Sequence, residues 1–188
     1  MVEAALATLI EEGYAGTSAR AIATRGGFNP ALTFYHYGSV DQLLLAALDK
    51  SSQERLERYR GLASSAVPPH ELVRAAANLF REDVEGGHVV AVTELIGASL
   101  GRPELRAELV ARMRPWLELT SEAIRRHLAG SPLSALAQVA EPAAFAVVSL
   151  YLGLNVLSRL EPDLSQVEVL FELAEQLSHL VPRAAPAS

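Results

Sequence analysis

Between Thr17 and Ser39 the chain reads TSARAIATRGGFNPALTFYHYGS, and the polar groups gathered there are those best suited to recognition chemistry. The Asn29 amide can read base edges, and Tyr35 and His36 can donate to phosphate oxygens. Thr17, Ser18 and Arg20 fall where helix starts commonly meet a phosphate backbone, to which unpaired helix N–H groups also turn. Nothing comparable points to turnover. No nucleophile elbow, phosphate loop or dinucleotide fingerprint occurs, and no catalytic residue or cofactor is expected. The histidines, at 36, 70, 88, 127 and 179, form no H-x-x-x-H pair with a carboxylate partner, so no metal site is expected either. An enzyme housed in the helical body remains a third reading, one that would require turnover in a substrate screen.

Groups of this kind need a scaffold that presents a short helix end-on. Thr17 is placed to cap a helix from about Ser18 to Arg25, which packs through Ile22 and Ala23. Gly26-Gly27 supplies the tight turn, and Asn29 with Pro30 opens a third helix to about Tyr37. A first helix, Val2 to Glu12, turns Ala5, Leu6, Leu9 and Ile10 inward and stops at Gly13. Ser39-Val40-Asp41-Gln42 forms a capping box for a long helix to about Gly61, with Gln42 reaching back and Asp41 complementing the dipole.

Helical periodicity continues to the end, without a convincing alternating strand. Helices are expected at about Pro68 to Glu85, His88 to Leu100, Pro103 to Ala129, Pro142 to Leu160 and Leu164 to Leu180. A short turn around Leu133 to Val139 and a disordered tail complete the chain. The expected fold is all-α, about nine helices: an N-terminal three-helix helix-turn-helix unit, 1–45, and a C-terminal helical bundle, 46–182, followed by the tail, 183–188.

Composition agrees with packed helices. Of 188 residues, 50% are hydrophobic, and Pro and Gly total only 10 and 12. The absence of cysteine removes disulfides, thiolate zinc sites and cysteine nucleophiles, and fits a cytoplasmic location. The acidic start, with Glu3, Glu11 and Glu12, does not read as a secretory signal. A net charge of -6 argues against nonspecific coating of nucleic acid but leaves room for a small DNA-reading surface.

The run Ala143 to Leu157 is shorter than the roughly 20 residues of a membrane span and contains Ser149 and Asn155, so it is expected as a core or interface helix, not a membrane segment. Its apolar surface, together with Leu164, Val167, Leu170, Phe171, Leu173, Ala174 and Leu177, suits a two-fold four-helix seam. A homodimer through the last two long helices is expected. In the body, polar residues on apolar stretches need partners within the protein or in a ligand. On that ground Glu94, Trp116, Thr120 and Asn155 are expected to contribute to a cavity for a largely apolar small-molecule effector.

Five short motifs follow one another: E-G-Y ending at Tyr14, T-S-x-R-x-I-A from Thr17, G-F-N-P-A-L from Gly27, Y-H-Y-G-S from Tyr35 and D-x-L-L from Asp41. Over about the first 48 residues the chain resembles the TetR family of transcription regulators. The resemblance implies that Thr17, Ser18, Arg20, Asn29, Pro30, Ala31, Tyr35 and His36 face double-stranded DNA. It also implies a C-terminal body with a ligand cavity and a dimer interface built by the last two long helices. Three departures stand out: Val40 where the family usually has lysine, Phe34 where it often has tyrosine, and no basic stretch before the first helix. The reading is a ligand-responsive repressor released from a pseudo-palindromic operator by a small molecule. The alternative is a dimeric small-molecule binder with weak or lost DNA binding.

Overall fold

The computed structural model describes residues 1–64, 68–128, 134–160 and 165–179. In chain order these form α1 (Val2–Gly16), α2 (Ala19–Gly26), α3 (Ala31–Tyr37), α4 (Val40–Ser64), α5 (Pro69–Gly86), α6 (His88–Ser99), α7 (Pro103–Leu128), a 3-10 turn (Ser134–Val139), α8 (Ala140–Leu160) and α9 (Ser165–Ser178), and among the described residues no strand occurs. The all-α expectation holds, with helix ends displaced by no more than about a turn. The expected break at Gly130 to Pro132, the separator at Pro162 and Asp163, Leu164 and the tail at 183–188 lie outside the described residues.

The chain forms two compact units, one of Met1–Arg55 with Gly86–Met113 and the other of Leu56–Glu85 with Arg114–Ser188. In the first, α1 packs on α2 and α6. Its core joins Leu9, Ile22, Leu43, Leu44, Leu45, Leu48 and Leu95. Three consecutive leucines buried on α4 mean that its first turns are enclosed on several sides, not along one stripe. Burial of each is worth about 1.5–3 kcal/mol.

Short helices need well-made ends, and the first unit supplies them. α1 breaks where expected: Gly13 sits at φ 68, ψ 175, outside the helical region. Ser18, not Thr17, caps α2, its Oγ accepting from the Ala21 N–H at 3.1 Å. Thr17 instead donates back to the Gly13 carbonyl at 2.7 Å, one turn earlier, so its hydroxyl is spent on the α1 end. At the other end of α2, Gly27 takes the left-handed conformation, φ 68, ψ 35. The Phe28 N–H then closes onto the Ala23 carbonyl at 3.1 Å. Gly26 is required for another reason, since a Cβ there would run into the Phe28 ring.

The Asn29 side chain accepts from the Ala31 N–H at 2.9 Å and so caps α3 across Pro30, which already has helical angles, φ -52, ψ -30. At α4, Ser39 Oγ accepts from the Gln42 N–H at 3.1 Å, the serine half of the expected capping box. Val40 packs its half-buried side chain against the core.

In the second unit Phe80 of α5 is 1% exposed and lies edge-on to Tyr151 of α8 and tilted against Phe171 of α9. α7 runs through Pro115 as one helix, and the missing N–H there leaves the carbonyl one turn earlier without its helical partner. α8 starts at Ala140, just before the expected Pro142, and runs 21 residues, so by length and composition alone it could cross a membrane. Within the single chain it is not a core helix, for only Ala140, Ala144, Asn155 and Ser158 are buried. Phe145, Leu150, Leu157 and Leu160 are exposed, as are Leu170, Leu173 and Leu177 of α9.

Because Gly27 is left-handed, Gly27→Ala should lower unfolding free energy by about 1–2 kcal/mol. Gly61→Ala, mid-helix with nothing near its Cβ, should raise it by up to about 1 kcal/mol. Urea unfolding followed by circular dichroism measures both, and equal effects would contradict the turn geometry.

Candidate nucleic-acid interface and effector site

α3 has only 7 residues and is divided by burial. Thr33 points inward at 0% exposure, whereas Ala31, Leu32, Phe34, Tyr35 and His36 are exposed, Tyr35 at 82%. The Tyr35 ring stands edge-on to His36, centroids 4.9 Å apart. Pro30, Asn29, Ser18 and Arg20 are exposed, and Thr17 is half-buried. The eight residues expected to face DNA thus occupy the end and outer side of α3 and the start of α2, and none is buried. Phe34 is exposed as well and brings no hydroxyl.

The surface carries little positive charge. Arg25 is bound by both carboxylate oxygens of Glu11 and lies 3.9 Å from Glu12. Arg20 enters none of the ion pairs among the described residues, which leaves it as the head's available guanidinium for phosphate.

Behind the reading surface, four residues fasten α1. The break at Gly13 frees the Tyr14 N–H, and the Glu94 carboxylate on α6 accepts it at 2.7 Å. A Cβ on Gly13 would lie 3.1 Å from that carboxylate. The Tyr14 hydroxyl donates to Asp41 at 2.7 Å, and Arg102 donates to both Asp41 oxygens and to the Tyr14 hydroxyl. Burial pushes the Asp41 carboxyl up, but Arg102 and the Tyr14 phenol outweigh it and hold the group below its ordinary value. Burial, then Asp41, raises the Tyr14 phenol.

Sequence reasoning assigned Asp41 to the helix dipole and missed Arg102 and Tyr14, since their partners are distant in the chain. Glu94, expected in a cavity, is spent in the first unit on a backbone N–H.

The other three cavity candidates lie in the second unit. Trp116 and Thr120 are one turn apart on α7, and the Thr120 hydroxyl donates back to the Trp116 carbonyl at 2.8 Å. Trp116 stands edge-on to Tyr59 of α4 with centroids 5.7 Å apart. Asn155 of α8 is fully buried, its Nδ2 donating to the Tyr151 carbonyl at 3.2 Å and its Oδ1 without a partner.

Asp83, which the sequence reading passed over, is 3% exposed and accepts from the hydroxyls of Tyr59 and Tyr151. Burial, followed by the charge field of Tyr59 and Asp83, raises the Tyr151 phenol far above its ordinary range. A signal was present: Asp83 falls one turn after Phe80, in phase with the apolar face of α5.

Residues 1–47 match the family model described as bacterial regulatory proteins, tetR family. Over those residues the chain is similar to TetR-family regulators. The likeness of fold extends beyond this segment. The fatty acid degradation regulator FadR from Bacillus halodurans superimposes with a TM-score of 0.74 at 16% identity, over 94% of this chain and 91% of that one. A TetR-family member from Streptomyces coelicolor A3 gives 0.66 at 24% identity, over 96% and 95%. FadR from Bacillus subtilis, solved in complex with stearoyl-CoA, gives 0.71 at 14% identity, over 94% and 95%. Among curated proteins none matches the chain.

The lowered Asp41 carboxyl fixes a sign for acid stability. Its contribution is complete above the unfolded value, near 3.8, and is lost as pH falls through the lower folded value. Asp41→Asn should therefore weaken the protein at about pH 7 and flatten its loss of stability towards about pH 2. Urea midpoints across that range are the measurement, and an unchanged acid limb would remove Asp41 from the account.

Proposed function

We propose that the chain is a ligand-responsive transcriptional regulator that binds DNA as a homodimer and is released from a pseudo-palindromic operator when a small molecule occupies its helical body. The observation that carries this reading is the coincidence of a TetR-family head with a capped, outward-facing α3. Residues 1–45 form the reading head in this proposal, and residues 46–182 hold the effector and the dimer contacts. Ser18, Arg20, Asn29, Tyr35 and His36 meet DNA, with Thr17, Pro30 and Ala31 shaping the helix starts. Trp116, Thr120 and Asn155 belong with the effector site, and Glu94 serves it from a distance by fastening α1. Such a protein works in the cytoplasm, where the DNA is.

A fold that holds stearoyl-CoA in the Bacillus subtilis regulator supports the existence of an effector in this one. The exposed apolar faces of α8 and α9 support a second copy as their cover, because a stripe of that size on a soluble chain marks an interface. Ligand acts by preferring a head spacing that no longer fits successive major grooves.

The second reading, a dimeric ligand binder with weak DNA affinity, is favoured by the poverty of positive charge around Arg20 and by Val40.

A mobility shift on the DNA upstream of the gene distinguishes them. With one Arg20 in each head, Arg20→Ala should flatten the slope of log affinity against log salt by about 2. Val40→Lys should tighten binding. Absence of any salt-dependent shift would leave the ligand-binder reading.

Light scattering should give a dimer at micromolar concentration. Leu150→Arg with Leu173→Arg, at positions 59% and 49% exposed in the single chain, should give a folded monomer. A monomeric parent protein would overturn the dimer.

A further inference from the structure

The outer side of α3 is poor in groups that could form fixed hydrogen bonds to a base. With Thr33 turned inward, helical spacing puts Ala31 and Tyr35 at the crown, Phe34 on one flank and Leu32 on the other. Phe34 is 56% exposed and Leu32 38%, although an apolar side chain gains nothing by facing water. Ala31 and Phe34, three residues apart, are neighbours on the helix surface and form one apolar strip.

The four bases ask for different partners in the major groove. Guanine is read by Arg or Lys, adenine by the paired groups of Asn or Gln, cytosine by a carboxylate, and thymine by apolar contact with its C5 methyl. α3, with the sequence ALTFYHY, holds none of the charged or amide residues that the first three require. Asn29, just before it, has its Oδ1 committed to the Ala31 N–H at 2.9 Å, so a two-handed grip on adenine would uncap the helix. Arg25 is held by Glu11, and from Thr17 to Ser39 no acidic residue occurs to take cytosine. Three bases thus lack their usual partner on this helix, and the fourth has one in the strip of Ala31 and Phe34.

We propose that α3 takes its sequence preference from thymine, whose C5 methyl packs against Phe34 and Ala31, while Tyr35, His36 and Arg20 hold phosphates around it. Phe34 is then a specificity residue, and its lack of a hydroxyl is an advantage: the ring meets a methyl with no polar group to desolvate. Such packing is indifferent to salt, unlike phosphate contacts, which weaken as salt rises. The inference rests on the reading of the chain as a DNA-binding regulator and names what that reader selects.

Deoxyuridine differs from thymidine by the C5 methyl alone and so isolates the contact. The full-length protein first selects duplexes from a random-sequence pool, and those recovered should carry thymine at matching positions of two half-sites. Replacing these thymines with deoxyuridine should weaken binding about fourfold for each methyl, the worth of one buried carbon. That ratio should be the same at low and at high salt, whereas both affinities fall as salt rises.

Phe34→Ala should bind the two duplexes alike, and Phe34→Leu, which keeps an apolar side chain, should retain a preference for thymine. The comparison on the parent protein needs no variant and stands even if Phe34→Ala does not fold. Equal affinity of the parent for the two duplexes, a ratio that vanishes at high salt, or full discrimination by a folded Phe34→Ala would each overturn the proposal. Recovery of no duplex would sink the regulator reading and this inference with it. Recovery of duplexes whose binding ignores the methyl would sink this inference alone.

Discussion

A helix of 7 residues has no stability of its own in water, where isolated helices shorter than about 12–15 residues are marginal. Everything α3 does depends on the apolar packing behind it, where Leu9, Ile22 and the three successive leucines of α4 are buried to within 1%. That core fixes the direction in which α3 presents its outer side. The polar clamp on α1 is built on the same principle in a different medium. Where Gly13 breaks the helix, a backbone N–H is left over, and a carboxylate from α6 accepts it. The first unit is therefore held by leucine contacts at its centre and by charge-assisted hydrogen bonds at its margin, and only the second of these weakens with screening by salt or with protonation of its carboxylates.

Local rules read the fold well. Caps, glycine stops and 3.6-residue periodicity act within a few residues, so each helix was legible from its own sequence, including the stop at Gly13 and the turn at Gly27. Failures cluster where neighbours compete for a group. Thr17 and Ser18 could each cap α2, and the choice was made by the Gly13 carbonyl, which claimed the Thr17 hydroxyl. The body was harder for a related reason. Polar residues on apolar stretches were correctly singled out as needing partners, but which partner is a long-range fact: Glu94 finds a backbone amide 80 residues away in the chain. Asn155, flagged on the same grounds, retains an unmatched oxygen.

Aromatic residues show the opposite pattern. The near-perpendicular chain of Trp116, Tyr59, Tyr151 and Phe80, and the acid that its two tyrosines hold, come from four different helices meeting. No spacing rule encodes that meeting. The long apolar helix α8 was underestimated for a simpler reason, since a run bounded by polar residues is shorter than the helix that contains it.

The shortage of free guanidinium on the head, with Arg25 tied to Glu11, bears on how such a reader would find its target. Residence on arbitrary duplex scales with phosphates neutralised, so a head of this kind lets go of random sequence quickly and slides over short stretches only. In the proposed role, the search would be dominated by encounters from solution. What such a regulator would forfeit in dwell time on bulk chromosome it would regain in contrast, because the ratio of target to background binding, rather than tightness alone, decides occupancy among a genome's competing sites.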